Sequence, residues 1–243
     1  MDRVIYLTMA GAKATLQRQE VVSNNLANAS TPGFRAELAA FHSVPVQGDG
    51  ASTRVYALET TLGYKDEAGP VSTTGRNLDV AMKGNAWLAV QGADGTEAYT
   101  RNGSLDVDAQ GQLVTRGGLP VLGDGGPITL PANAQVSIGS DGSITARVGN
   151  AAPQGVGRLK LVTPEERLAR GNDGLFRAAD GADLPADANA RLQDGALEGS
   201  NVSPVESMVA MISAARQFEQ QMKMLQSAQE REQSATRLLG NSS

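Results

Sequence analysis

Proline and glycine are confined to the middle of this 243-residue chain. All ten prolines fall between Pro32 and Pro204; of 28 glycines, only Gly11 precedes that stretch and only Gly240 follows it. These two residues are the strongest breakers of regular structure. Both ends are therefore free to form long helices, and the middle is committed to turns.

The ends carry helical periodicity. Ile5, Met9, Ala12, Leu16, Gln19, Ser23 and Leu26 recur at alternating spacings of four and three, the seam of a helix that meets another helix. Met208, Met211, Ala215, Phe218, Met222 and Leu225 repeat the pattern at the other end. Ser203 is placed to cap that second helix, with Pro204 at its first position and Glu206 completing a capping box. Each seam residue contributes roughly 1.5–3 kcal/mol when buried. Ordering one backbone residue costs about 1–2 kcal/mol. Two thin stripes facing only each other are insufficient, so the helices are expected to order fully among other subunits.

The middle reads as β-structure. Leu78, Val80 and Met82 alternate, as do Ala86, Leu88 and Val90. Short apolar runs follow at 113–114, 128–130, 136–138, 144–146 and 159–162, with Asp-Gly turns at 94–95, 124–125 and 141–142. This spacing predicts antiparallel strands in a sandwich or barrel. The expected class is α+β. A discontinuous helical domain (residues 1–35 with 200–243) is joined by an extended connector (36–76) to an antiparallel β domain (77–199).

Little here points to catalysis. There are no cysteines, so disulfides, thiolate nucleophiles and cysteine-based metal sites are excluded. His42 is the only histidine and has no acid or nucleophile near it in sequence. Asp106-Val107-Asp108-Ala109-Gln110-Gly111 resembles the start of a calcium loop, but Gly117 stands where a bidentate glutamate belongs, so a hairpin turn is expected. Gly123-Asp124-Gly125-Gly126-Pro127 precedes a strand and ends in proline, unlike a phosphate loop. The other Asp-Gly pairs follow from turn geometry. Net charge is -5 and the isoelectric point about 5.0, which argues against nucleic acid or an anionic membrane as partner. No apolar run approaches the roughly 18 residues of a membrane span. Val4 to Ala12 is largely apolar, but Asp2 offsets Arg3, so no cleaved leader is expected. A β-domain enzyme remains the rival class; it needs a convergent acid–base pair, and none rises above the turn background.

Asn24-Asn25-Leu26-Ala27-Asn28 followed by Thr31-Pro32-Gly33-Phe34-Arg35 resembles the signature of bacterial flagellar rod and hook proteins. Leu197-Glu198-Gly199-Ser200-Asn201-Val202 and Val205 to Ile212 are similar to that family's C-terminal signature. Leu78 to Ala81, Tyr99-Thr100-Arg101-Asn102-Gly103-Ser104 and Gly111 to Val114 fit between them, so the likeness covers nearly the whole chain. Met1 to Tyr6, Gly157 to Val162, Asp173 to Arg177 and the stretch Ala215 to Lys223 look most like the proximal-rod member. Phe218 and Gln221 depart from the distal-rod pattern. The resemblance implies a structural, non-enzymatic subunit with no cofactor or metal. It implies export through the flagellar type III apparatus without a cleaved signal, and assembly with copies of itself and with other rod proteins in the periplasm. It further implies a role in joining proximal to distal rod for torque transmission; a sibling axial subunit, such as the distal-rod protein, is the alternative place. Under this reading Ile5, Met9, Ala12, Leu16, Asn24, Asn25, Leu26, Asn28, Met208, Met211, Ala215, Phe218, Met222 and Leu225 form the subunit interface, the buried amides penalising wrong registers. Pro32-Gly33 turns the chain toward the β domain.

Overall fold

The computed structural model describes residues 2–45 and 55–240. Two long helices, α1 (Asp2–Ala27) and α2 (Pro204–Gly240), bracket a run of short antiparallel strands. This is the α+β class expected from the sequence. Two compact units emerge, each assembled from separated stretches. One combines 1–29, 36–65 and 202–243; the other combines 30–35 and 66–201.

In the first unit α1 and α2 pack against each other. The start of α2 has the expected cap: the Ser203 hydroxyl accepts from the Glu206 amide at 3.4 Å, and the Ser203 carbonyl accepts from Ser207 at 3.0 Å. Small residues on α1 meet α2: Gly11 and Thr15 both lie against Gln221. Thr8, Ala14 and Thr15 are buried on α1, as is Ala214 on α2. A Cβ on Gly11 would lie 2.9 Å from Gln221 Nε2, and the Thr15 hydroxyl donates to the Gly11 carbonyl at 2.9 Å. Small side chains let the helix axes approach closely.

The first unit also contains an antiparallel ribbon, β1 (Glu37–Pro45) with β2 (Val55–Tyr64). Its register runs from Glu37↔Tyr64 to Pro45↔Val55, with a bulge between Leu38 and Ala39. The stretch expected as an extended connector thus holds this ribbon and one further short strand.

The second unit opens with β3 (Val71–Thr73), β4 (Val80–Met82), β5 (Trp87–Gln91) and β6 (Glu97–Thr100). Hairpins β7 (Leu105–Val107) with β8 (Leu113–Thr115), and β9 (Leu122–Gly123) with β10 (Gly126–Pro127), follow. A meander of β11 (Ala134–Ile138), β12 (Ser143–Val148) and β13 (Gln154–Arg158) comes next. Then β14 (Leu161–Val162), β15 (Ala169–Arg170) and β16 (Phe176–Arg177) complete a five-stranded sheet of order β14-β5-β6-β16-β15. The last strands, β17 (Leu192–Asp194) and β18 (Ala196–Glu198), return to pair with β4 and β3. The end of the unit is thereby stitched to its beginning. Val80, Leu88, Val90, Leu105, Leu113, Val121, Ile144 and Leu192 are fully enclosed in one core.

Three hairpins share one turn. At 92–95, 139–142 and 171–174 the pattern is Gly-x-Asp-Gly. The aspartate Oδ1 accepts the amide two residues on, from Thr96, Ser143 and Leu175, each at 3.1 Å. The closing glycines Gly95, Gly142 and Gly174 have φ of 80°, 87° and 78°. This is the short-loop hairpin with a left-handed closing residue. Hydrogen bonds from Thr96 hold the Asp94 carboxyl below its ordinary 3.8, and Ser143 does the same for Asp141. The Arg177 guanidinium holds down Asp173.

Candidate assembly interface and a buried ion node

The asparagine-rich end of α1 resolves into two devices. Asn28 Nδ2 donates to both the carbonyl and the side-chain oxygen of Asn24, each at 3.0 Å. The Asn28 amide closes on the carbonyls of Asn24 and Asn25. These bonds satisfy carbonyls that a helix end otherwise leaves open. Asn25 reaches past the helix: its Nδ2 donates to the Glu37 carbonyl at 3.0 Å, and its Oδ1 accepts from the Glu37 amide at 2.8 Å.

Beyond α1 the chain enters the second unit through Pro32 and Gly33. Gly33 has φ 69°, and a Cβ there would lie 2.2 Å from the Arg101 carbonyl carbon. Only glycine fits both the left-handed backbone and the contact. The Gly33 amide donates to the Glu198 carbonyl at 2.8 Å, and the Asn201 amide to the Phe34 carbonyl at 3.3 Å. The segment after α1 and the segment before α2 therefore lie side by side.

A charged node sits at that crossing. Glu198 is 1% exposed and carries two guanidinium partners, Arg35 Nη2 at 2.8 Å and Arg101 Nε at 2.8 Å. Its Oε1 also accepts from the Gly69 amide at 3.1 Å. Arg101 Nη2 adds a second bond to the carboxylate, making the pair two-pronged. The node holds one negative and two positive groups, so the excess positive charge needs solvation by the protein. Carbonyls supply it: Met82 and Gly84 each accept from Arg101 at 3.0 Å, Ala86 accepts as well, and Glu67 accepts from Arg35. The Arg101 guanidinium lies 5.9 Å from the Trp87 ring centroid, and Arg170 lies 4.6 Å over Phe34. Buried charge is stable when paired and hydrogen-bonded in this way.

The helical unit exposes apolar side chains. On α1, Met9 is 55% and Leu16 43% exposed; on α2, Val205 is 71% and Ile212 54% exposed, with Met208 and Val209 beside them. At 3.6 residues per turn, Val205, Met208, Val209 and Ile212 lie on the side of α2 opposite buried Ala214. Further along that back face stand Arg216, Glu219 and Lys223, all exposed. Its apolar residues lie in the first turns of α2; Met224, further along the helix, is exposed as well.

The interface residues expected from sequence are distributed as follows. Met9, Leu16 and Met208 are exposed; Ala12, Asn25, Leu26, Asn28, Met211, Ala215, Phe218, Met222 and Leu225 are half-buried; Asn24 is exposed. The Ile5 side chain lies outside the described residues, as does that of His42. Sequence reasoning passed over Arg35, Arg101 and Glu198. A signal was present: each of the segments Thr31 to Arg35, Tyr99 to Ser104 and Leu197 to Val202 contains one charged residue only.

These segments belong to regions matched by family models. Residues 5–35 match the flagella basal body rod protein family, 81–146 the D1 domain of flagellar hook protein FlgE/F/G, and 193–238 the C-terminal region of flagellar basal body rod FlgEFG protein. The chain belongs to the FlgF-like flagellar basal-body rod proteins, and it is a structural rod component rather than an enzyme. It is 48% identical over 252 residues to flagellar basal-body rod protein FlgF of Salmonella typhimurium, covering 100% of both chains. It is 46% identical over 254 residues to FlgF of Escherichia coli, again covering all of both. It is 34% identical over 252 residues to FlgF of Caulobacter vibrioides, at 99% of each. Among the described residues no helix is long and apolar enough to cross a membrane.

Proposed function

We propose that this subunit polymerises through its paired terminal helices, with copies of itself and with neighbouring rod proteins, and links proximal to distal rod in the periplasm. The polymerising domain comprises residues 1–35 with 200–243, the β domain 77–199, and the intervening stretch joins them. Export by the flagellar type III route without a cleaved leader belongs to the same reading.

One observation carries it: large apolar side chains stand exposed on both helices, facing away from the α1–α2 seam. Burying such residues is worth roughly 1.5–3 kcal/mol each. On α1 the exposed stripe holds Met9 and Leu16. On α2 it holds Val205, Met208, Val209 and Ile212. Two different stripes form a head-to-tail contact that need not close into a ring, as a filament requires. The interface assigned to this assembly is Ile5, Met9, Ala12, Leu16, Leu26, Met208, Met211, Ala215, Phe218, Met222 and Leu225, with Asn24, Asn25 and Asn28 at its end.

The test is Val209→Asp with Ile212→Asp in a strain lacking its own copy. The purified variant should melt within about 0.5 kcal/mol of the parent, since both sites are exposed. Swimming in soft agar should be lost, with no rod in isolated basal bodies. Normal rods with both aspartates in place would refute the assignment.

A further inference from the structure

Asn25 of α1 binds the base of the β1–β2 ribbon through two hydrogen bonds. In the ribbon Glu37 stands opposite Tyr64, and the Lys65 amide donates to the Ala36 carbonyl at 2.8 Å. Glu37 with Tyr64 is therefore the open rung of the ladder, and the amide and carbonyl of Glu37 point out of the ribbon edge. Both end on Asn25, at 2.8 and 3.0 Å. The carboxamide takes the place of a peptide group in an adjoining strand. Asn24 and Asn28 do not compete, because they bond to each other.

We propose that Asn25 is a positioning residue that sets the direction of the β1–β2 ribbon relative to α1, so that helix and ribbon meet the next copy as one surface. The clause about the next copy rests on the assembly reading above; the clasp itself does not. A two-stranded ribbon is only marginally stable in water on its own, so its anchorage decides where it points. Nine residues of strand extend about 30 Å. A tilt of about 20° at the base would carry the far end about 10 Å. The chemistry selects asparagine. Aspartate lacks the donor and sets a charged oxygen against the Glu37 carbonyl. Glutamine is a methylene longer. Serine and threonine offer one atom where two are needed.

The chain has no cysteine, so labels can be placed at will. Arg18→Cys on α1 and Val55→Cys on β2 would carry spin labels in the full-length protein, with the inter-label distance read by pulsed EPR. The parent should give one narrow distribution. Asn25→Ala and Asn25→Asp should at least double its width. Amide exchange at Glu37 should rise at least tenfold, while Leu88 and Leu192 in the β unit keep their protection and show that the fold is intact. An unchanged distribution and unchanged Glu37 exchange in Asn25→Ala would overturn the clasp. A broadened distribution with normal rod assembly would keep the clasp and overturn its part in assembly. A narrow distribution in the Val209→Asp, Ile212→Asp variant, together with normal rods, would overturn the helical interface while leaving the clasp standing.

Discussion

Glu198 is the residue on which most depends. Removing one partner of a buried, hydrogen-bonded ion pair costs about 3–5 kcal/mol, because the remaining charge is stranded. Glu198→Ala leaves Arg35 and Arg101 facing each other with no carboxylate between them. Its melting temperature should fall by roughly 10 °C, at 2–4 °C per kcal/mol for a chain of this size; a drop under about 3 °C would show that water or rearrangement solvates the node. Gly33→Ala should destabilise by more than about 1 kcal/mol, by both strain and contact. The Asp173 carboxyl is held down chiefly by the Arg177 guanidinium, with further help from the Leu175 amide. Its folded value lies below the unfolded 3.8, so its contribution is complete above that pH and disappears as pH falls through the lower folded value. Asp173→Asn should thus flatten the loss of urea resistance below pH 3.8 and leave its shape unchanged near neutrality. The role of Glu198 was not legible from periodicity, whereas Pro32-Gly33 was already expected to turn the chain out of α1. The node joins residues distant in the chain, and periodicity reports only on neighbours. The Asp-Gly turns were legible, since their chemistry is local: an aspartate accepting an amide two residues on, and a glycine in the left-handed region.

At the scale of elements, both long helices and their approximate limits were readable, because breakers are absent there and the caps are local. The face that α1 presents to α2 was not. Met9 and Leu16 of the expected stripe are exposed, and Gly11 and Thr15 lie against Gln221 of α2 instead. Hydrophobic size ranks Met and Leu above Thr and Gly, whereas close packing of two helices ranks them in reverse. Gly11→Ala tests this packing. A helix interior gains about 1 kcal/mol from the change, and the three nearest atoms are all at the far end of the flexible Gln221 side chain. The variant should be at least as stable as the parent by thermal melt; Gly11→Leu should be destabilised and should lose rod assembly. Strand positions were partly legible. Val80, Ala81 and Met82 are all buried, so β4 is enclosed on both faces and the alternation of Leu78, Val80 and Met82 told only half of its environment.

For the molecule as a whole, the α+β plan followed from the distribution of glycine and proline, and the rod family from motifs spread along the chain. The place of 30–35 in the β-rich unit had no signal in the sequence, since it rests on contacts with 66–201 that no local pattern encodes. Exposed Arg18, Arg216, Lys223 and Arg231 on the helices offer sites to trypsin, and the β unit's core is enclosed. Brief digestion of the purified protein should remove the helical ends first and leave a core spanning roughly 66–201 with 30–35 associated; mass spectrometry would identify it, and early cuts inside the β unit would contradict the division. The placement of Glu198 also bears on synthesis. Arg35 and Arg101 leave the ribosome long before their carboxylate is made, and β3 and β4 wait for β18 and β17. A nascent chain therefore remains unsealed until residues 192–198 have emerged, so the β unit closes only after the whole of it has been translated.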